Sequence, residues 1–251
     1  MSFCADCFKG VRHEGTPEGT MKTIGGIKCY VATPTVDYPK DKAILFLTDA
    51  LGLKLPNNQL LVDDFARNGF QTVMPDILDD DAVPASLLDP NPPPFDIKAW
   101  IASHGRERTR PIVDRVVAAL REEGITALAA TGYCFGGRYV FDLAFDGVTK
   151  VSAVSHPSLL VIPDDLTKYH AEAKAPLLIN SCTVDEQFPL AAQAQADAIL
   201  GEGKFAPGYR REYFDGCRHG FAVKGDMSDP KVKAGKEGAL KACVDWFVKY
   251  L

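Results

Sequence analysis

"TGYCFGGRYV", residues 131–140, is the stretch whose reading decides the fold. It lies between two apolar runs, "ITALAA" before it and "YVFDLAF" overlapping its end. Its centre, Gly132-Tyr133-Cys134-Phe135-Gly136, is the Gly-x-nucleophile-x-Gly pattern of a sharp strand-to-helix turn, with cysteine where serine usually stands. A side chain held on such a strained elbow needs neighbours without a bulky Cβ. A helix beginning near Gly136 points its N-terminus at Cys134 and favours negative charge there. The plainer alternative is a small core residue, because free cysteine is among the most buried residue types. Glycines on both sides, after a strand and before a helix, favour the nucleophile.

Outward from the elbow, strand and helix patterns alternate. "AILFLT" (43–48) is the continuous apolar run of a strand covered on both faces. "NQLLVDDFARNG" carries Leu60, Leu61, Phe65 and Ala66 at helical spacing, with Gly69 as a stop. "FQTVMP" (70–75) reads as a strand. Residues 76–94 are rich in Asp and Pro and read as a long loop outside the core, of the kind that covers a site. "IVDRVVAALREEG" (112–124) is an amphipathic helix closed by glycine. Beyond the elbow, "KVSAVSH", "APLLINSC" and "YRREYF" read as strands, "PLAAQAQADAILG" and "KVKAGKEGALKACVDWFVKYL" as helices. The alternation predicts an α/β fold with a mostly parallel central sheet and helices on both faces. In that architecture ligands bind beyond the carboxyl ends of the strands. No composition shift marks a boundary, so one domain over 1–251 is expected.

The 251 residues are 46% hydrophobic and 24% charged, which suits a full core with an ordinary solvated surface. The formal net charge of -5 gives no general attraction for nucleic acid or anionic lipid. There is no apolar run of membrane-spanning length and no secretion-type leader, so a cytoplasmic protein is expected. Seven cysteines at irregular spacing do not read as a disulfide framework. Cys4 and Cys7, with His13 nearby, form a lone C-x-x-C; a structural zinc site needs a second pair, so no metal is expected there.

Four loops follow the predicted strands and should meet at one sheet edge. They hold Asp49-Ala50-Leu51-Gly52, the Cys134 elbow, Thr183-Val184-Asp185-Glu186, and Asp215-Gly216-Cys217-Arg218-His219-Gly220. Nucleophile, acid, histidine is the chain order of α/β-hydrolases. His219 can take the thiol proton and return one to a leaving group. Asp185 can hold the other ring nitrogen and so fix the tautomer. Two alternatives stand beside it. Glu186 is adjacent, and Asp185 could instead cap the helix that starts near Pro189. His156, Tyr133 and Phe221 are candidates for the pocket wall. His104 and His170 read as ordinary loop or helix-end residues, and Arg138 as a helix-surface or packing residue.

On "GYCFGGRYV", "TVDEQFP", "GCRHGFAV" and "FLTDALGL", the chain resembles the dienelactone hydrolase family of α/β-hydrolases, over most of its length. "HEGTPEG" resembles an N-terminal extension of the family's eukaryotic members, here 1–23. The resemblance implies a Cys134, Asp185, His219 triad acting without cofactor or metal. It implies an oxyanion hole from the backbone N–H groups of Phe135 and Ala50. It also implies a carboxylate that touches the resting thiol. Bacterial members have glutamate there, and Asp49 holds the matching position. Those members place a substrate-binding arginine shortly after the histidine, where this chain has Val223. The expected activity is hydrolysis of a small ester or lactone through an acyl-enzyme on Cys134. Thioesterase or acyl-transfer chemistry on a larger metabolite is the second reading. A non-catalytic redox sensor or binding protein that uses the thiol is the third. The expected partner is a small-molecule substrate, with the protein a monomer or homodimer.

Overall fold

The structure is a computed structural model and describes residues 15–251. Cys4, Cys7 and His13 lie outside the described residues. Eight strands form one sheet in the order β1-β2-β4-β3-β5-β6-β7-β8. β1 (Thr20–Ile24) and β2 (Ile27–Ala32) make an antiparallel hairpin, and β2 runs antiparallel to β4 (Thr72–Pro75). From β4 through β3 (Lys42–Leu47), β5 (Ala127–Tyr133), β6 (Val151–Ser155), β7 (Leu177–Val184) and β8 (Tyr209–Arg218) every pairing is parallel. The last residues of the expected extension therefore belong to β1 of the sheet.

The central strands are apolar without alternation because both faces are covered. Ile44, Leu45, Phe46 and Leu47 of β3 have no exposed surface. α1 (Pro56–Arg67), the one-turn helix α7 (Phe221–Lys224) and α8 (Pro230–Tyr250) pack together on one face. α3 (Arg106–Glu122), α4 (Phe135–Phe145), α5 (Asp164–Glu172) and α6 (Leu190–Leu200) follow one another on the other. Right-handed parallel crossovers carry the chain between them and bring all strand ends after β3 to one edge.

Two sequence expectations change. The 76–94 segment is partly core: Ile77, Leu78 and Val83 are buried, and Ala85–Leu88 forms a 3-10 turn. Asp76 organises the start by accepting the Leu78 and Asp80 N–H groups, and Val83 N–H donates to the Ala50 carbonyl at 2.9 Å. The segment is thus fastened to the loop after β3. A further helix follows it, α2 (Ile97–Ser103), capped by Asp96 accepting from Ala99 N–H. Its Trp100 donates Nε1–H to the Asp81 carbonyl at 2.7 Å and stacks on His104 with ring centroids 4.1 Å apart. Trp100 also lies 5.8 Å from Phe135, so α2 roofs the first turn of α4.

Candidate active site

Cys134 sits between β5 and α4 with φ 48°, the left-handed region that a non-glycine side chain avoids. Close packing explains the flanking glycines. A Cβ on Gly136 would lie 2.2 Å from the Leu47 carbonyl oxygen, and one on Gly132 2.6 Å from Val140. α4 can therefore press its first turn against the end of β3. That contact brings Phe135, the first residue of α4, beside the loop that carries Ala50. Among the described residues neither the Phe135 nor the Ala50 N–H donates a hydrogen bond.

The loop after β7 and the end of β8 supply the next two groups. β8 advances four residues, Phe214 to Arg218, where β7 advances only from Cys182 to Val184. Gly216, at φ 77°, lies in this bulge and donates its N–H to Thr183 Oγ1. The bulge re-aims the chain, and His219 N–H bonds the Val184 carbonyl at 2.8 Å. Its Nδ1 then meets Asp185 Oδ1 at 2.9 Å. The same Oδ1 accepts the N–H groups of Gln187 and Phe188, so the carboxylate is held rigidly. Asp185 is buried while Glu186 is exposed, which removes the neighbour as a rival partner of the imidazole. Pro189 occupies the N-cap of α6, so Asp185 is not that cap.

His219 is fully buried. Burial alone would depress its pKa, but the charge of the Cys134 sulfur, then Asp185, and hydrogen bonds to both outweigh it and hold the imidazole well above 6.5. Ser158, on the turn after β6, completes a triangle: its Oγ lies 3.4 Å from Cys134 Sγ and 3.5 Å from His219 Nε2.

Asp49 lies beyond β3, also fully buried. Its Oδ1 accepts Leu51 N–H at 3.2 Å and Asn58 Nδ2–H at 3.0 Å; its Oδ2 stands 3.6 Å from Lys224 Nζ. Burial raises its carboxyl above the usual range, Lys224 opposes that shift, and the Cys134 sulfur adds to it. The three carboxylate, imidazole and sulfur-bearing loops therefore share one electrostatic neighbourhood. Lys224 is 1% exposed. The left-handed Gly220, at φ 90°, starts α7 and turns this lysine inward, and Val223 is wholly buried beside it.

The pocket-wall candidates divide. Tyr133 is a correction: its side chain enters the core under α1 and α8, stacked on Phe46 at 4.8 Å, because it shares the Thr131 face of β5. Phe221 is buried between His156 and Phe214 but borders a cleft of about 430 Å³ that also meets His219, Arg218 and Lys224. His156 packs edge-on against His219, with ring centroids 4.9 Å apart. Neither of its ring nitrogens has a hydrogen-bond partner among the described residues. Burial, with the charges of His219 and Lys224, keeps it well below 6.5 and neutral. Arg138 pairs with Asp142 and Asp165 at the side of α4, as a packing residue does. His104 is buried under Trp100 rather than ordinary loop, and His170 Nε2 meets the Lys204 carbonyl. Among the described residues no group of three or more His, Cys, Asp or Glu is placed to hold a metal ion.

Residue pattern singles out neither Ser158 nor Asn58 as a member of this cluster. Position two or three residues past a strand end was the available signal for Ser158; for Asn58 it was the first turn of the helix after Gly52.

Residues 27–251 match the profile of the dienelactone hydrolase family. Hydrolase pyvD of Aspergillus violaceofuscus is 35% identical over 250 residues, covering 98% of this chain and 96% of its own. Dienlactone hydrolase 1 of Gibberella moniliformis is 30% identical over 246 residues, covering 96% and 91%. A putative dienelactone hydrolase from Klebsiella pneumoniae has the same fold, with a TM-score of 0.72 over 93% of this chain and 99% of its own, at 15% identity. With an α/β-hydrolase sheet, a cysteine elbow and a family match over nine-tenths of its length, the chain belongs to the dienelactone hydrolase family.

Proposed function

We propose that this protein hydrolyses a small neutral ester or lactone through an acyl-enzyme on Cys134. The observation that carries the reading is the line from Asp185 through His219 to the elbow sulfur, anchored by the 2.9 Å Nδ1 to Oδ1 contact. Asp185 keeps the proton on Nδ1, which leaves Nε2 directed at the Cys134 and Ser158 side. The imidazole accepts the thiol proton, and the thiolate attacks the carbonyl carbon. A C–S bond forms as the carbonyl π pair moves onto oxygen. The Phe135 and Ala50 N–H groups receive that oxyanion; a donor of this kind is worth about 10²- to 10³-fold in kcat. Collapse expels the alkoxide, which takes the proton from His219. Water then attacks the thioester with His219 as base, and the C–S bond breaks to release the acid.

Neutral substrates fit the charge balance. Val223 offers no cation, and Lys224 already faces Asp49. A substrate carboxylate would have to displace that partner. No disulfide joins any two of the five described cysteines, which suits a reducing cytoplasm. Among the described residues no helix is long and apolar enough to cross a membrane.

A panel of aryl esters and lactones, with and without a carboxylate, tests the reading. Neutral members should turn over faster, and Cys134→Ala should abolish turnover while far-UV circular dichroism stays unchanged. Wild-type kcat/KM in Cys134→Ala would overturn the nucleophile. A strong preference for anionic members would mean that another cation on the cleft, Lys224 or Arg218, serves as the substrate clamp.

A further inference from the structure

We infer that Ser158 is a positioning residue for the Cys134–His219 pair, its hydroxyl donating a hydrogen bond that stabilises the Cys134 thiolate. The inference rests on Cys134 being the reactive thiol and adds a fourth group to it.

The geometry comes first. Ser158 is 5% exposed, and its Oγ is nearly equidistant from Cys134 Sγ at 3.4 Å and His219 Nε2 at 3.5 Å. A hydroxyl has one proton and two lone pairs, so it can serve either atom as their charges change. When the thiol is neutral, Oγ can accept S–H. When the proton has moved to Nε2, the sulfur is an acceptor only. The Ser158 O–H then turns to it, and the Ser158 lone pair faces the imidazolium N–H. No atom leaves Ser158; the transferred proton passes from sulfur to Nε2, and the hydroxyl keeps its own. Hydrogen bonds to a charged partner are about twice as strong as neutral ones, so this contact favours the ion pair over the neutral pair.

The local backbone is built around this placement. His156 and Leu159 flank the turn with φ of 41° and 63°, both left-handed and neither a glycine. Strain of that sort persists only where the surroundings over-determine it, and it gathers at functional sites. Cys134 N–H donates to the Ser155 carbonyl at 3.2 Å, and Ser158 N–H donates back to the Cys134 carbonyl at 2.9 Å. Pro157 closes the turn against Gly137, where a Cβ would come within 2.8 Å of the proline ring. The turn therefore grips the elbow on both sides of the nucleophile and fixes the hydroxyl relative to the sulfur. A serine that merely filled space would not need two strained neighbours.

Two titratable groups couple to this sulfur, His219 from the β8 end and Asp49 from the β3 end; behind them stand Asp185 on His219, Lys224 of α7 facing Asp49, and neutral His156 from the β6 end against His219. Ser158→Ala leaves all of these side chains in place and removes only the hydroxyl, with its contacts to Cys134 and His219.

Iodoacetamide alkylation of Cys134, mapped by peptide mass and followed from pH 5 to pH 9, is the test. Ser158→Ala should move the midpoint up by about one pH unit, about tenfold less thiolate on the acidic limb. It should lower kcat on an aryl ester by a similar factor below that midpoint, with KM little changed. Ser158→Thr, which keeps the hydroxyl, should restore the wild-type midpoint. A midpoint unchanged in Ser158→Ala while wild-type Cys134 is alkylated normally overturns the role of Ser158 alone. Wild-type Cys134 that fails to alkylate while another cysteine does overturns the acyl-enzyme reading beneath it.

Discussion

The ends of β6 and β8 each bring a fully buried histidine to the same place, and the two rings stand 4.9 Å apart. They behave oppositely. His219 has Asp185 on Nδ1 and the sulfur beyond Nε2, and it is held well above 6.5. His156 has the rings of Tyr133 at 6.1 Å and Phe221 at 5.6 Å beside it, and both ring nitrogens lack partners among the described residues. It stays well below 6.5. Burial is complete for both and lowers both, so burial does not separate them. The partner atoms do. One strand end supplies a carboxylate fixed by two backbone N–H groups, and the other supplies an aromatic wall. A pair of titratable groups pushed apart in this way is a signature of divided roles: the proposed base at β8 and a neutral packing group at β6.

The largest effect should come from breaking the β8 side. His219→Ala and Asp185→Asn should each lower kcat/KM by about 10² to 10⁴. The double variant should be barely worse than the worse single one, because the pair acts as a unit. Initial rates on an aryl ester check this. Losses that add in log rate would mean Asp185 does not act through His219. Far greater damage from Glu186→Gln than from Asp185→Asn would move the acid to the exposed neighbour.

The Asp49–Lys224 side should respond next, and in stability more than in rate. Removing one member leaves the other charge buried without its partner, which costs about 3–5 kcal/mol. Asp49→Asn and Lys224→Met should each lower the urea midpoint clearly, and the double variant should recover much of the loss. Asp49→Asn should also lower the thiol pKa of Cys134 and speed its alkylation without substrate, since a carboxylate nearby disfavours a thiolate. An unchanged alkylation profile would take Asp49 out of the thiol's control.

The smallest effect belongs to His156. His156→Phe should change kcat less than tenfold, because the ring only packs against His219. Its signature is in pH. His156 has a folded pKa below its unfolded value, so its neutral burial stabilises the fold above about pH 6.5 and is lost as pH falls. His219 is the reverse: its raised pKa stabilises below about pH 6.5 and is lost as pH rises through the folded pKa. Between pH 8 and pH 5, then, His156→Phe should lose less thermal stability than wild type. Equal acid sensitivity in both would show that His156 is not the group that resists protonation.

The same contrast explains what could be read in the residues alone. The elbow and the parallel strands were legible because their cause is local: glycines around Cys134, and apolar runs bounded by turns. Asp185 and His219 were legible because each lies just beyond a strand, and parallel topology brings strand ends together. Asp49 was placed by family resemblance, and its partner was not. Nothing in "FAVKG" announces a lysine turned toward Asp49; the left-handed Gly220 and the single turn of α7 swing it inward. Tyr133 shows the opposite error. It neighbours Cys134 in sequence, yet side chains alternate along β5 and send it to the other face. The 76–94 segment looked like covering loop by composition. Its buried Ile77, Leu78 and Val83 lie in a segment fastened to Ala50 and to Trp100 of α2 by hydrogen bonds that no local pattern announces.

Rapid-quench mass spectrometry with an aryl ester in excess tests the acyl-enzyme most directly. Within the first turnover the acyl mass should appear on the peptide carrying Cys134, be absent in Cys134→Ala, and decay as acid is released. Steady turnover with no acyl mass on Cys134, or with the acyl group on Ser158 instead, would contradict a cysteine acyl-enzyme.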